Sequence, residues 1–137
     1  MHAPSMMKAL AAGRIILGVT SLVAPRAFAT AVGVVSPTDE LSYMTRVYGA
    51  RAVAMGTGYL TATPHERARW AKLSLAIDIS DTTAGISQAF RQPSSRRPVA
   101  LMIVLTATYA AIGLAAARAQ SVCLRLPRRA AVCRRRN

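Results

Sequence analysis

Two aspartates, Asp78 and Asp81, stand three residues apart inside the apolar stretch LAIDISDTTAG, residues 75 to 85. Carboxylates in such a setting have two kinds of use. At i, i+3 on a helix they share a face, where they could share a proton or serve an ion or substrate in transit. Alternatively, each is matched by a base on a neighbouring segment and holds segments together. Arg14 and Arg51 offer that match, because each is also lodged in an apolar stretch. Arg14, Arg51, Asp78 and Asp81 are therefore expected to form one ion network of nearly balanced charge. Ser74, Asp78, Asp81, Gly85 and Gln88 follow spacings of four, three, four and three. That is an a/d seam facing neighbouring helices. Leu73, Leu75, Ala76, Ile79, Thr83 and Ile86 form the opposite side, which suits lipid. Arg46, five residues from the outer end of its segment, is expected to snorkel toward water.

The segments that carry these charges set the architecture. The chain has 137 residues, 53% hydrophobic and 17% charged, against about 25% charged in an ordinary soluble domain. Its mean hydropathy is positive. Four apolar segments, about 9–24, 41–63, 70–90 and 99–117, are separated by short connections. A helix needs about 20 apolar residues to cross the hydrocarbon core. The last three segments are long enough, and the first is short. The expected fold is all-α: a four-transmembrane-helix antiparallel bundle over residues 1–118, then a basic, disordered tail over 119–137. AFATAVGVV, in the first connection, is expected as an interfacial helix.

The 18 Lys and Arg against 5 Asp and Glu give a net charge of +13. With the N-terminus inside, eleven basic residues fall on the inner side, four on the outer side and three within segments. The positive-inside rule then places both termini in the cytoplasm. The Arg and Ala bias points to a GC-rich bacterial genome, and together with the four apolar segments the expected location is the bacterial cytoplasmic membrane, with several passes. Residues 1–29 also carry a signal-peptide pattern ending in Ala27-Phe28-Ala29, against which Arg14 interrupts the apolar run. From a rise of about 1.5 Å per residue, Asp78 and Asp81 lie ~12 and ~16 Å from the inner face, and Arg14 and Arg51 bracket that depth. In segment two, Ala50, Ala54 and Gly58 are expected on one close-packing face, with Ala52 and Gly56 beside it.

The tail arginines Arg125, Arg128, Arg129, Arg134, Arg135 and Arg136 are expected to meet anionic lipid headgroups. Nucleic-acid binding is not expected, because the tail lacks interleaved aromatics. Cys123 and Cys133 read as free thiols. There is no phosphate-binding glycine loop and no GxSxG. His65, beside Glu66 in a loop, assembles no metal site. Neither a cofactor nor an enzymatic activity is expected.

AGRIILGVTSLVAPRAFA, TRVYGARAVAMGTGYL and RARWAKLSLAIDISDTTAG together resemble a group of small bacterial integral membrane proteins classed as a domain of unknown function. The resemblance covers residues 10 to 90 and rests on Arg14, Gly18, Pro25, Arg26, Arg46, Gly49, Arg51, Gly56, Asp78 and Asp81. A more distant similarity is to DoxX-like four-helix membrane proteins, whose second helix carries a Glu where Arg51 stands. The resemblance implies a four-helix membrane bundle and brings no activity, cofactor or substrate. Two function classes stay open. One is a structural or accessory subunit that meets lipid or a membrane partner. The other is a small proton- or anion-linked transporter using the Asp pair, which at four helices requires an oligomer.

Overall fold

The computed structural model describes residues 3–91 and 96–125. Among them are five α-helices and no strand: α1 (Ala3–Val23), α2 (Pro25–Ala31), α3 (Asp39–Thr61), α4 (Pro64–Arg91) and α5 (Arg96–Arg125). Two stretches are long and apolar enough to cross a membrane, Ser5–Val23 in α1 and Arg97–Ala116 in α5. Among the described residues α3 and α4 match them in length but fall below that standard of apolarity.

Local chemistry sets each boundary. α1 stops before Pro25, since a residue that precedes proline is pushed out of the helical region, and Pro25 then opens α2. Gly33, with φ of 101°, turns the chain after α2. The Val34 N–H donates to the Ala29 carbonyl at 3.0 Å and the Gly33 N–H to the Thr30 carbonyl at 2.9 Å, so the freed carbonyls are satisfied. α2 is thus shorter than AFATAVGVV. Thr38 caps α3 by accepting the Leu41 N–H at 3.2 Å, and Asp39 and Glu40 complement the helix dipole.

α4 begins six residues before the expected position, because Thr63-Pro64-His65-Glu66 builds a capping box. The Glu66 carboxylate accepts the Thr63 N–H at 3.0 Å and the Thr63 hydroxyl at 2.7 Å. These two bonds, the hydroxyl's first, hold the Glu66 pKa below its ordinary 4.5. A depressed carboxyl pKa contributes stability above the unfolded value and loses it as pH falls through the folded one. Unfolding measured across that range is therefore expected to show an acid-side loss that shrinks in Glu66→Ala.

Two other boundaries are also corrected. α1 reaches back to Ala3, which gives the first segment 21 residues and removes its apparent shortness. α5 runs on past Arg118 to Arg125. The intervening residues contain no Gly or Pro, and Pro127 is the first residue that cannot continue a helix. The expected tail thus begins no earlier than residue 126, outside the described residues.

The helices pack chiefly as two pairs. α1 lies along α3 and α4 along α5. Both pairs run antiparallel, as the facing residues show: Gly18 with Gly49 and Ala11 with Gly56 in the first, Gly85 with Ile103 and Leu75 with Gly113 in the second. A Cβ on Gly49 would lie 2.6 Å from the Gly18 carbonyl oxygen, and one on Gly18 would lie 2.7 Å from that of Gly49. Only glycine allows two backbones this near. The α3 stripe that meets α1 is Gly49, Ala52 and Gly56 rather than Ala50 and Ala54, both exposed. Gly58 instead seats the Trp70 indole of α4. Leu75, expected outward, packs on Gly113. At one end, Met7, Ala11, Tyr59 and Ala116 cluster with Trp70 and Ala71, joining all four long helices.

Large apolar side chains lie mostly on the outside. Ile16, Val19, Val47, Ile79 and Val104 are each more than 40% exposed, whereas the described interior holds Met7, Met55, Tyr59 and alanines such as Ala11, Ala52 and Ala116, together with Ser21, Ser42, Ser74, Asp78 and Thr106. Exposed hydroxyls fold back on their own helices: Thr20 donates to the Ile16 carbonyl, Thr57 to Val53, Ser80 to Ala76 and Thr108 to Val104.

Candidate functional site

The space between the two helix pairs is bridged by charge. Arg14 of α1 donates from Nη2 to Asp78 Oδ2 of α4 at 2.5 Å. Arg51 of α3 donates from Nη2 to Asp81 Oδ2 of α4 at 2.6 Å. Each acid of LAIDISDTTAG is thus committed to its own arginine, one from each member of the α1–α3 pair. α4 presents both acids on one side because i and i+3 lie about 60° apart around a helix. Gly18 and Gly49 bring α1 and α3 close enough for both arginines to reach that side.

The two ion pairs differ in burial. The Arg14 and Asp78 side chains are 12% and 5% exposed, and those of Arg51 and Asp81 are 44% and 26% exposed. Two tyrosines complete the site. The Arg14 guanidinium carbon lies 4.8 Å from the centre of the Tyr109 ring of α5, and that of Arg51 lies 5.9 Å from the centre of the Tyr48 ring. In such contacts the negative face of the ring quadrupole attracts the cation. Next to Asp78, the Thr82 and Thr106 hydroxyls meet at 2.9 Å, linking α4 to α5. Thr106→Val is expected to cost about 0.5–1.5 kcal/mol, the net contribution of one intramolecular hydrogen bond, read by equilibrium unfolding.

Sequence reasoning missed the tyrosines. Tyr48 had a signal, standing three residues before Arg51 and so on its face. Tyr109 is the one aromatic residue of an uncharged segment, and nothing in its spacing pointed to Arg14. Ser74 is buried on the acids' seam, while Gln88, expected on the same seam, is exposed near the end of α4, and Arg46 is exposed as expected. Arg125 ends α5, and Arg128, Arg129, Arg134, Arg135 and Arg136 lie outside the described residues. Ala27-Phe28-Ala29 lies within α2, where Ala29 is buried.

Two small cavities flank the Arg14–Asp78 pair. One, of about 10 Å³, reaches Ser74. The other, of about 20 Å³, touches Arg14, Tyr48, Arg51, Asp78, Asp81 and Tyr109. A water needs about 10–15 Å³ and two to four polar partners, so each has room for one water and no larger guest. No group of three or more His, Cys, Asp or Glu able to hold a metal occurs among the described residues. No family model, curated protein or solved structure matches the chain.

Proposed function

We propose that this chain is a small integral membrane protein with a structural or accessory role, in which two Arg–Asp pairs fix the packing of the spanning helices. α1, α3, α4 and α5 cross the bilayer as an antiparallel four-helix bundle. Both termini lie in the cytoplasm, and the basic residues from Arg118 onward meet anionic headgroups. In this reading the chain belongs with the small four-helix membrane proteins it resembles.

The proposal is carried by the large apolar side chains left outside: Ile16, Ile79 and Val104 are exposed, while Ser21, Asp78 and Thr106 are buried among small residues and a few larger apolar ones. In water that arrangement would expose the apolar area that normally drives folding. In lipid the outer side chains lose nothing, and small or hydrogen-bonded residues are what let membrane helices associate. The back-bonded hydroxyls of Thr20, Thr57 and Thr108 fit the same surroundings, because no water is there to satisfy them.

A carrier built on Asp78 and Asp81 is the competing reading, supported by the cavity that touches both acids. Direct pairing of each acid with an arginine favours the structural reading, since each carboxylate already has a counter-charge on a neighbouring helix. Proteoliposomes holding the purified chain test the choice. The expected result is no dissipation of an imposed proton or chloride gradient beyond that of empty vesicles. A flux abolished by Asp81→Asn, with the fold retained, would establish the carrier instead.

A further inference from the structure

The two ion pairs sit in different surroundings, and the more exposed one is only partly covered by the described residues. Arg51 is the thirteenth of the 23 residues of α3, which places it near the middle of a helix about 35 Å long. At that depth neither headgroups nor bulk water reach it easily, yet its side chain is 44% exposed. Asp81, 26% exposed, opens on the same seam between α3 and α4. These two helices make few direct contacts with each other. The seam's outer flanks are low. Ala54 stands one turn from Arg51, and Ser80 and Ala84 stand beside Asp81, all exposed. A second helix surface can therefore approach the charges closely.

We propose that the α3–α4 seam is covered in the membrane by a second copy of this chain, related by a two-fold axis along the bilayer normal. The patch carries one cation and one anion at the same level, as their 2.6 Å bond requires. Rotation about the normal keeps that level and sets Arg51 of one copy against the partner's Asp81, and the reverse. An isologous contact needs this self-complementarity. The outcome is a four-charge ring of alternating sign, closed from lipid, where intramembrane charges are normally found. A foreign subunit would need its own matched pair of charges at this depth, whereas a second copy supplies it by symmetry.

The inference rests on the membrane reading, and its test separates the two. In the full-length chain, with Cys123 and Cys133 changed to Ser, one cysteine is placed at Ala84 on the seam or at Val104 on the exposed side of α5. Membranes expressing each variant are washed with alkaline carbonate and then oxidised with copper phenanthroline. The expected result is a band at twice the 14.6 kDa chain mass from Ala84→Cys and none from Val104→Cys. Adding Arg51→Asp to Ala84→Cys should abolish the band, and adding Asp81→Arg as well should restore it by reversing the pair. An Ala84→Cys chain that stays in the carbonate-washed membrane and gives only monomer, or a band of another mass, overturns the dimer and leaves the membrane reading intact. Release of the chain by carbonate overturns both.

Discussion

Asp78→Leu alone is expected to cost about 3–5 kcal/mol of stability, because it leaves the Arg14 guanidinium buried without its counter-ion. Arg14 is 12% exposed and its partner carboxylate 5% exposed, so little solvent can take over the lost interaction. The Tyr109 ring face at 4.8 Å remains, but a ring quadrupole offsets only part of a missing full charge. The same reasoning predicts the reverse result for the pair. Arg14→Met with Asp78→Leu removes both charges and leaves an apolar pair, and apolar replacement of a buried ion pair is often neutral or stabilising. Titration of the folded protein in mild detergent with SDS, followed by circular dichroism, reads both. The double variant should recover most of the loss of the single one. Asp81→Asn should cost less than Asp78→Leu, since Arg51 is 44% exposed in the single chain and Asn keeps an acceptor oxygen.

The second large effect lies in the backbone. Gly49→Val is expected to cost about 3 kcal/mol or more, at the upper end of overpacking penalties. Its Cβ would fall 2.6 Å from the Gly18 carbonyl oxygen and 3.0 Å from both Leu22 Cγ and Ser21 Cβ. The closest of these is main chain and cannot rotate aside, so α1 and α3 must separate. Separation also withdraws Arg14 from Asp78 and Arg51 from Asp81, and the loss should be cooperative. Gly18→Val should behave alike, its Cβ meeting the Gly49 carbonyl oxygen at 2.7 Å and the Val53 nitrogen at 2.9 Å. Gly113→Ala is the contrast. Its Cβ would meet only Leu75, at 3.4 Å and beyond, so better helix propensity should leave stability unchanged or raised by up to about 1 kcal/mol. The same SDS titration ranks the three.

Charge position and helix spacing made some of this arrangement readable in advance. LAIDISDTTAG gave the seam because a helix repeats every 3.6 residues, and Asp78 and Ser74 on that seam are buried. Counting rise from the segment ends placed Arg14 and Arg51 at the acids' depth, and each reaches an acid. Which arginine takes which acid was not readable, since it depends on the registers of α1 and α3 against α4. The contact stripe of α3 was also misread. Ala50 and Ala54 are as small as Ala52, and only the position of α1 selects Gly49, Ala52 and Gly56. Helix ends shifted where capping outweighed hydropathy: Glu66 starts α4 in polar sequence, and α5 continues beyond its apolar run because nothing breaks it. Tyr109 escaped notice because its role comes from a contact across helices.

In the proposed arrangement the apolar outer surface faces lipid and the charged seam lies within the bilayer. Site-specific labelling tests this most directly. Single cysteines at Ile79, Val104 and Ser36, in a chain with Cys123 and Cys133 changed to Ser, are exposed in sealed membrane vesicles to a membrane-impermeant maleimide from either side. Ile79→Cys and Val104→Cys are expected to stay unlabelled from both sides until the membrane is dissolved in SDS. Ser36→Cys, in the connection between α2 and α3, should react from the outer side alone. Rapid labelling of Ile79→Cys and Val104→Cys in intact vesicles would contradict it, since those side chains would then face water.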